Sequence, residues 1–123
     1  MKILIENNEK VNGFNIYMTL IELHKSYLLL ISDQEDMGIG DVTLGSPPII
    51  EGWKSTSTSF KLFGVENKLL STIIVERASS ILKAPVLLLL FLKIKKKEEE
   101  IAKPIVNFLN KTLTKWGEKK KEL

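Results

Sequence analysis

The side chains best suited to chemistry in this chain are a short acidic run, one histidine and a block of lysines. Asp33, Glu35, Asp36 and Asp41 gather around one turn, and carboxylates of this kind suit calcium or magnesium. Their spacing does not build a calcium loop. Counted from Asp33, the fifth position is Met37 and the twelfth Leu44, so two oxygen ligands are missing. A solvated acidic turn is the expectation. Gly38-Ile39-Gly40 is a fragment of a phosphate-binding fingerprint, but it precedes a strand, so no helix N-terminus is brought to a phosphate. His24 could act as a general base if a carboxylate such as Glu22 oriented it. No nucleophile or second catalytic group accompanies it, and a surface histidine is expected.

The chain has no cysteine and one histidine, which excludes disulfides, thiolate chemistry and any site needing two imidazoles from one chain. No catalytic residue, cofactor or metal is therefore assigned. Lys93, Lys95, Lys96 and Lys97, with Lys119, Lys120 and Lys121, could neutralise phosphates. Residues 93–123 carry ten Lys against five Glu, whereas residues 1–92 carry a small acidic excess. Because Glu98, Glu99 and Glu100 adjoin the first lysine cluster and arginine is nearly absent, a charged helix surface is expected rather than a nucleic-acid site.

The elements that must position these groups follow from length and periodicity. With 123 residues, 44% apolar and 27% charged, the chain fits one globular domain over residues 1–123. Its longest apolar run, Ala84–Leu92, is too short to span a bilayer. The N-terminal segment lacks the features of a secretory signal, so the expected location is the cytoplasm without membrane attachment.

Short strands fill the first half. Ile3–Ile5, continuing toward Val11, leads into Asn12-Gly13, a hairpin dipeptide whose members both accept positive φ. Phe14 to about Leu23, Tyr27–Ser32 and Ile39–Leu44 follow as strands, then the loop after Gly45-Ser46-Pro47-Pro48, then Phe60–Phe63. Leu69, Leu70, Ile73, Ile74, Ala78, Ile81 and Leu82 recur at helical spacing, with Asn67 as N-cap. Ala84-Pro85 ends that helix. Val86–Leu92 is apolar throughout, the pattern of a strand covered on both faces. A last helix, beginning between Lys97 and Lys103, carries Ile101, Ile105, Phe108, Leu109, Leu113 and Trp116 on one face. The expected class is α+β: a six-stranded, mainly antiparallel sheet with two helices on one face, in the order βββββαβα.

Alternation gives these strands two apolar faces. Phe14, Ile16, Met18 and Leu20 oppose Tyr17, Thr19, Ile21 and Leu23, and Tyr27, Leu29 and Ile31 oppose Leu28 and Leu30. Two helices side by side cover one face only. Leaving the other in water would forfeit more than a marginally stable domain can spare, so subunits are expected to pair through it as a dimer or tetramer. The interface is assigned to Tyr17, Thr19, Ile21, Leu23, Tyr27, Leu29 and Ile31. The competing reading folds the loop of residues 45–59, with Trp53, over that face. Trp53, Trp116, Lys119 and Lys120 are the candidates for binding another partner.

The order of elements resembles the small proteasome assembly chaperones, the third and fourth of the eukaryotic set and their archaeal counterparts. The resemblance rests on Val11-Asn12-Gly13, on Tyr27–Ile31 leading into Asp36-Met37-Gly38, on Phe60-Lys61-Leu62-Phe63-Gly64 and on Ala84-Pro85-Val86-Leu87-Leu88. It covers nearly the whole chain. It implies a non-enzymatic protein whose subunits pair through their sheets and which binds α-type proteasome subunits during α-ring assembly. The ending Lys121-Glu122-Leu123 departs from proteasome-docking tails, which end in a hydrophobic residue, Tyr and any residue. The rival classes are a small nucleic-acid-binding or scaffold module using the basic C-terminal region, and an enzyme with a pocket at His24 or the acidic turn.

Overall fold

The computed structural model describes residues 1–47, 56–61, 68–94 and 96–121, with positions 56–61, 68, 120 and 121 described for their backbone. The strands are β1 (Lys2–Val11), β2 (Phe14–Leu23), β3 (Ser26–Ser32), β4 (Asp41–Ser46), β5 (Thr56–Lys61) and β6 (Val86–Phe91). The helices are α1 (Lys68–Leu82) and α2 (Glu98–Lys121). They form one sheet in the order β1-β2-β3-β6-β4-β5.

The sheet is mixed rather than simply antiparallel. β1, β2 and β3 form an antiparallel meander, and β4 and β5 form a second antiparallel pair. β6 enters between these halves, parallel to β3 and antiparallel to β4. Both edges of β6 are flanked by strands, but only Val86, Leu88 and Leu90 are buried under the helices; Leu87, Leu89 and Phe91 are half-buried on the opposite face, so the expected cover on both faces is present on one.

Local chemistry sets the strand ends. Asn12 and Gly13 have φ of 47° and 84°, the doubly positive pattern of a type I′ turn. Lys25, at φ 53°, closes the next two-residue turn, where the Ser26 hydroxyl donates to the His24 carbonyl at 3.0 Å. Lys83 takes φ 54° after the last residue of α1, and Pro85 follows, which stops the helix. α2 begins at Glu98, with three glutamates in its first turn complementing the helix dipole. Pro104 therefore lies inside it. Asn67 and Trp53 lie outside the described residues.

Both helices pack on the same face, α1 against β4, β5 and β6, and α2 against α1 and β1. Beneath them lies one apolar cluster that includes Ile16, Met18 and Leu20 of β2, Leu29 and Ile31 of β3, and Val86, Leu88 and Leu90 of β6. β4 contributes Asp41, Thr43 and Gly45 to this side. Gly45 has a packing reason to be glycine. A Cβ there would lie 2.6 Å from Val75 Cγ2 and 3.0 Å from the Val75 carbonyl oxygen, so α1 can approach β4 this closely only because the side chain is absent.

Candidate functional site

The opposite face of the sheet is built by strand register. The turn at His24-Lys25 pairs Leu23 with Ser26, Ile21 with Leu28, Thr19 with Leu30 and Tyr17 with Ser32. Directly opposed residues share a face, so a two-residue turn links odd positions of β2 to even positions of β3. The ladder continues through Leu28–Leu87 and Leu30–Leu89 into β6, and through Leu87–Leu44 and Leu89–Val42 into β4. On the other side Ile21 pairs with Ile3 of β1. One row therefore reads Ile3, Ile21, Leu28, Leu87, Leu44. A second reads Thr19, Leu30, Leu89, Val42.

The first row crosses five strands, about 19 Å at the usual interstrand spacing. Ile3 is 56% and Leu44 46% exposed, while the members between them are half-buried by their lateral neighbours. Tyr17 and Phe91 close one end, where Gly38 packs against the Phe91 ring. The two rows make this face apolar from β1 through β2, β3 and β6 to β4, with Ile3 and Leu44 exposed at its ends.

The residues assigned to an interface from sequence divide between the two faces. Tyr17, Thr19, Ile21 and Leu23 lie on the open face, half-buried. Tyr27, Leu29 and Ile31 do not. Their register partners are Glu22, Leu20 and Met18, and all three are buried beneath the helices. The correction has a simple cause: parity inverts across the turn, so the open-face residues of β3 are Leu28 and Leu30. Counting across His24-Lys25 would have found them. Val42 and Leu44 are further members that sequence reasoning missed.

Of the other candidates, Trp116 stacks edge-to-face on Tyr27, centroids 6.4 Å apart at 80°. It is held against the core at the rim of a groove between β1 and α2 that Leu4, Ile5 and Thr112 also line. Lys119 is exposed on the same rim. Lys120 belongs to α2.

The acidic turn does not converge. The Asp33 carboxylate accepts hydrogen bonds from the backbone N–H groups of Lys93, at 3.0 Å, and Ile94, at 2.7 Å, tying the turn to the exit of β6. Asp41 is buried in β4, whereas Glu35 and Asp36 are exposed. Among the described residues, no three His, Cys, Asp or Glu side chains group as metal ligands. His24 is exposed in a shallow cleft with Met1, Glu22 and Ala84. Two lysines of the basic block are engaged locally: Lys93 lies over the Phe91 ring and Lys96 over the Phe14 ring, at 5.6 and 5.3 Å. Among the described residues no helix is long and apolar enough to cross a membrane.

The architecture defines an α+β class in which two helices roof one face of a mixed sheet and leave an apolar second face. That fold recurs in a chain from the crystal structure of a chaperone complex for yeast 20S proteasome assembly, with a TM-score of 0.61 at 9% sequence identity, over 92% of each chain. No protein-family model matches the chain, and no curated protein matches it by sequence.

Proposed function

We propose that this chain is a non-enzymatic chaperone of 20S proteasome assembly, binding α-subunits and assisting formation of the α-ring. In this reading residues 1–123 act as one unit in the cytoplasm. Two copies pair through the open sheet face centred on Ile21, Leu28 and Leu87. The observation that carries the reading is the correspondence in fold, over 92% of both chains, with a component of a proteasome assembly chaperone complex. The apolar rows on the open face support the pairing, since an interface of standard size buries about 800 Å² per partner and draws on such surfaces.

The chemistry required is modest. A chaperone of this kind covers an assembly surface until the correct neighbour displaces it, so shape and polar complementarity matter more than extreme affinity. The test is retention of proteasome α-subunits, identified by mass spectrometry, on the immobilised full chain at low and moderate salt. Retention at both supports the proposal. Failure to retain any α-subunit at either salt overturns it, and capture of nucleic acid that disappears steeply with salt would favour the basic-module alternative.

A further inference from the structure

We infer that the outer edge of β1 is a second self-association site, at which two copies join antiparallel about Asn8 to make one continuous sheet. This goes beyond the chaperone reading and uses a different surface. Among the described residues β1 ends the sheet, and no strand of theirs pairs with the backbone groups on its outer side. Which groups those are follows from the hairpin. Asn12-Gly13 is a two-residue I′ turn, which makes Val11–Phe14 a hydrogen-bonded pair. The pattern alternates, so Glu9 and Asn7 also bond toward β2, while Lys10, Asn8 and Glu6 direct their N–H and C=O groups outward. The structure agrees at Asn8, whose N–H is taken up by the neighbouring Asn7 side-chain oxygen at 2.9 Å rather than by β2.

Charge selects the occupant. A twofold antiparallel pairing through outward groups can be centred on any residue from Glu6 to Lys10, the dyad passing through an outward residue or through the one between two of them. Centring on Glu6, Glu9 or Lys10 sets that residue against its own copy, like charge on like, and centring on Asn7 sets Glu6 against Asn8 without any charge pair. Centring on Asn8 sets Glu6 against Lys10 of the second copy, and Lys10 against Glu6, with Asn8 on the dyad. All three side chains are exposed and lie on the open-face side of β1, opposite Thr19, Tyr17 and Asn15. The same register brings Ile5 opposite Val11 of the second copy on the helix side. The β-bulge at Ile3–Ile5 falls outside the paired window, so the ladder from Glu6 to Lys10 is regular. The second copy displaces the Asn7 oxygen from the Asn8 N–H and replaces it with a ladder hydrogen bond.

The chain has no cysteine, so single thiols report the register directly. On the dyad the two position-8 Cα atoms are about 5.5 Å apart, within the roughly 4.4–6.8 Å that a disulfide accepts. The position-6 atoms are offset by four residues, about 13 Å. The expected result is that Asn8→Cys forms a disulfide dimer on mild oxidation and Glu6→Cys does not. Lys10→Glu should weaken Asn8→Cys cross-linking about tenfold, and adding Glu6→Lys should restore it. Introducing Leu28→Lys and Leu87→Lys on the open face should leave cross-linking intact, which separates this site from the sheet-face pairing. Equal cross-linking at positions 6 and 8, or no recovery in the charge-swapped pair, would overturn the inference. All these positions are exposed or half-exposed, and circular dichroism of each variant verifies that it folds.

Discussion

Replacing Gly45 by alanine should push α1 off the sheet, and the size of the effect can be worked from the packing. The added methyl would lie 2.6 Å from Val75 Cγ2, 2.9 Å from Cγ1 and 3.0 Å from the Val75 carbonyl. A rotamer change cannot clear all three, because one is backbone. Overpacking of this kind costs about 1–3 kcal/mol, or roughly 3–10 °C in Tm for a chain of this size. Gly117 supplies the internal control. It lies in α2 with nothing within 4 Å of an added Cβ, so Gly117→Ala should stabilise by about 0.5–1 kcal/mol through helix propensity. The same chemical change is thus expected to act with opposite signs at two sites. Trimming Val75 to alanine in the Gly45→Ala background should recover part of the loss, giving a double-mutant coupling of about 1 kcal/mol. Thermal denaturation with calorimetry of Gly45→Ala, Gly117→Ala, Val75→Ala alone and the Gly45→Ala/Val75→Ala double variant measures these effects. A Gly45→Ala protein as stable as its parent would refute the close approach of α1 to β4.

Two further outcomes are expected. Ser71 is fully buried in α1 and its hydroxyl has no hydrogen-bond partner among the described residues, so Ser71→Ala should raise stability by about 1 kcal/mol, read from urea midpoints at constant m-value. Leu28→Lys with Leu87→Lys should abolish sheet-face dimers in sedimentation while leaving the far-ultraviolet spectrum unchanged, because both side chains are half-exposed in the protomer.

Much of the layered arrangement was legible in the sequence, because its signals are local. Asn12-Gly13 specifies its turn through φ alone, alternation in Phe14–Leu23 separates two faces, and helical spacing from Leu69 to Leu82 and from Ile101 to Trp116 gives both helices. What local signals miss is neighbourhood. Val86–Phe91 reads as doubly buried, yet nothing in six consecutive apolar residues names β3 and β4 as its flanks. β4 misleads in a related way. Alternation alone would turn Val42 and Leu44 inward, but the near approach of α1 at Gly45 reserves that side for small and polar residues, and the leucine faces out. The interface assignment failed at Tyr27, Leu29 and Ile31 for want of one count across a turn. Trp116 looked available for a partner because its contact with Tyr27 joins residues far apart in sequence.

The insertion of β6 has a consequence for how the chain comes into being. Until residue 91 has left the ribosome, the meander of β1 to β3 and the pair β4–β5 are two separate pieces of sheet, each with a raw border where β6 belongs. The last strand made is therefore the keystone that joins them. The nascent polypeptide must wait with two unsatisfied seams, and such long-range closure is slow and prone to mispairing. If this molecule helps others to assemble, it first passes through an interval in which it would itself profit from help.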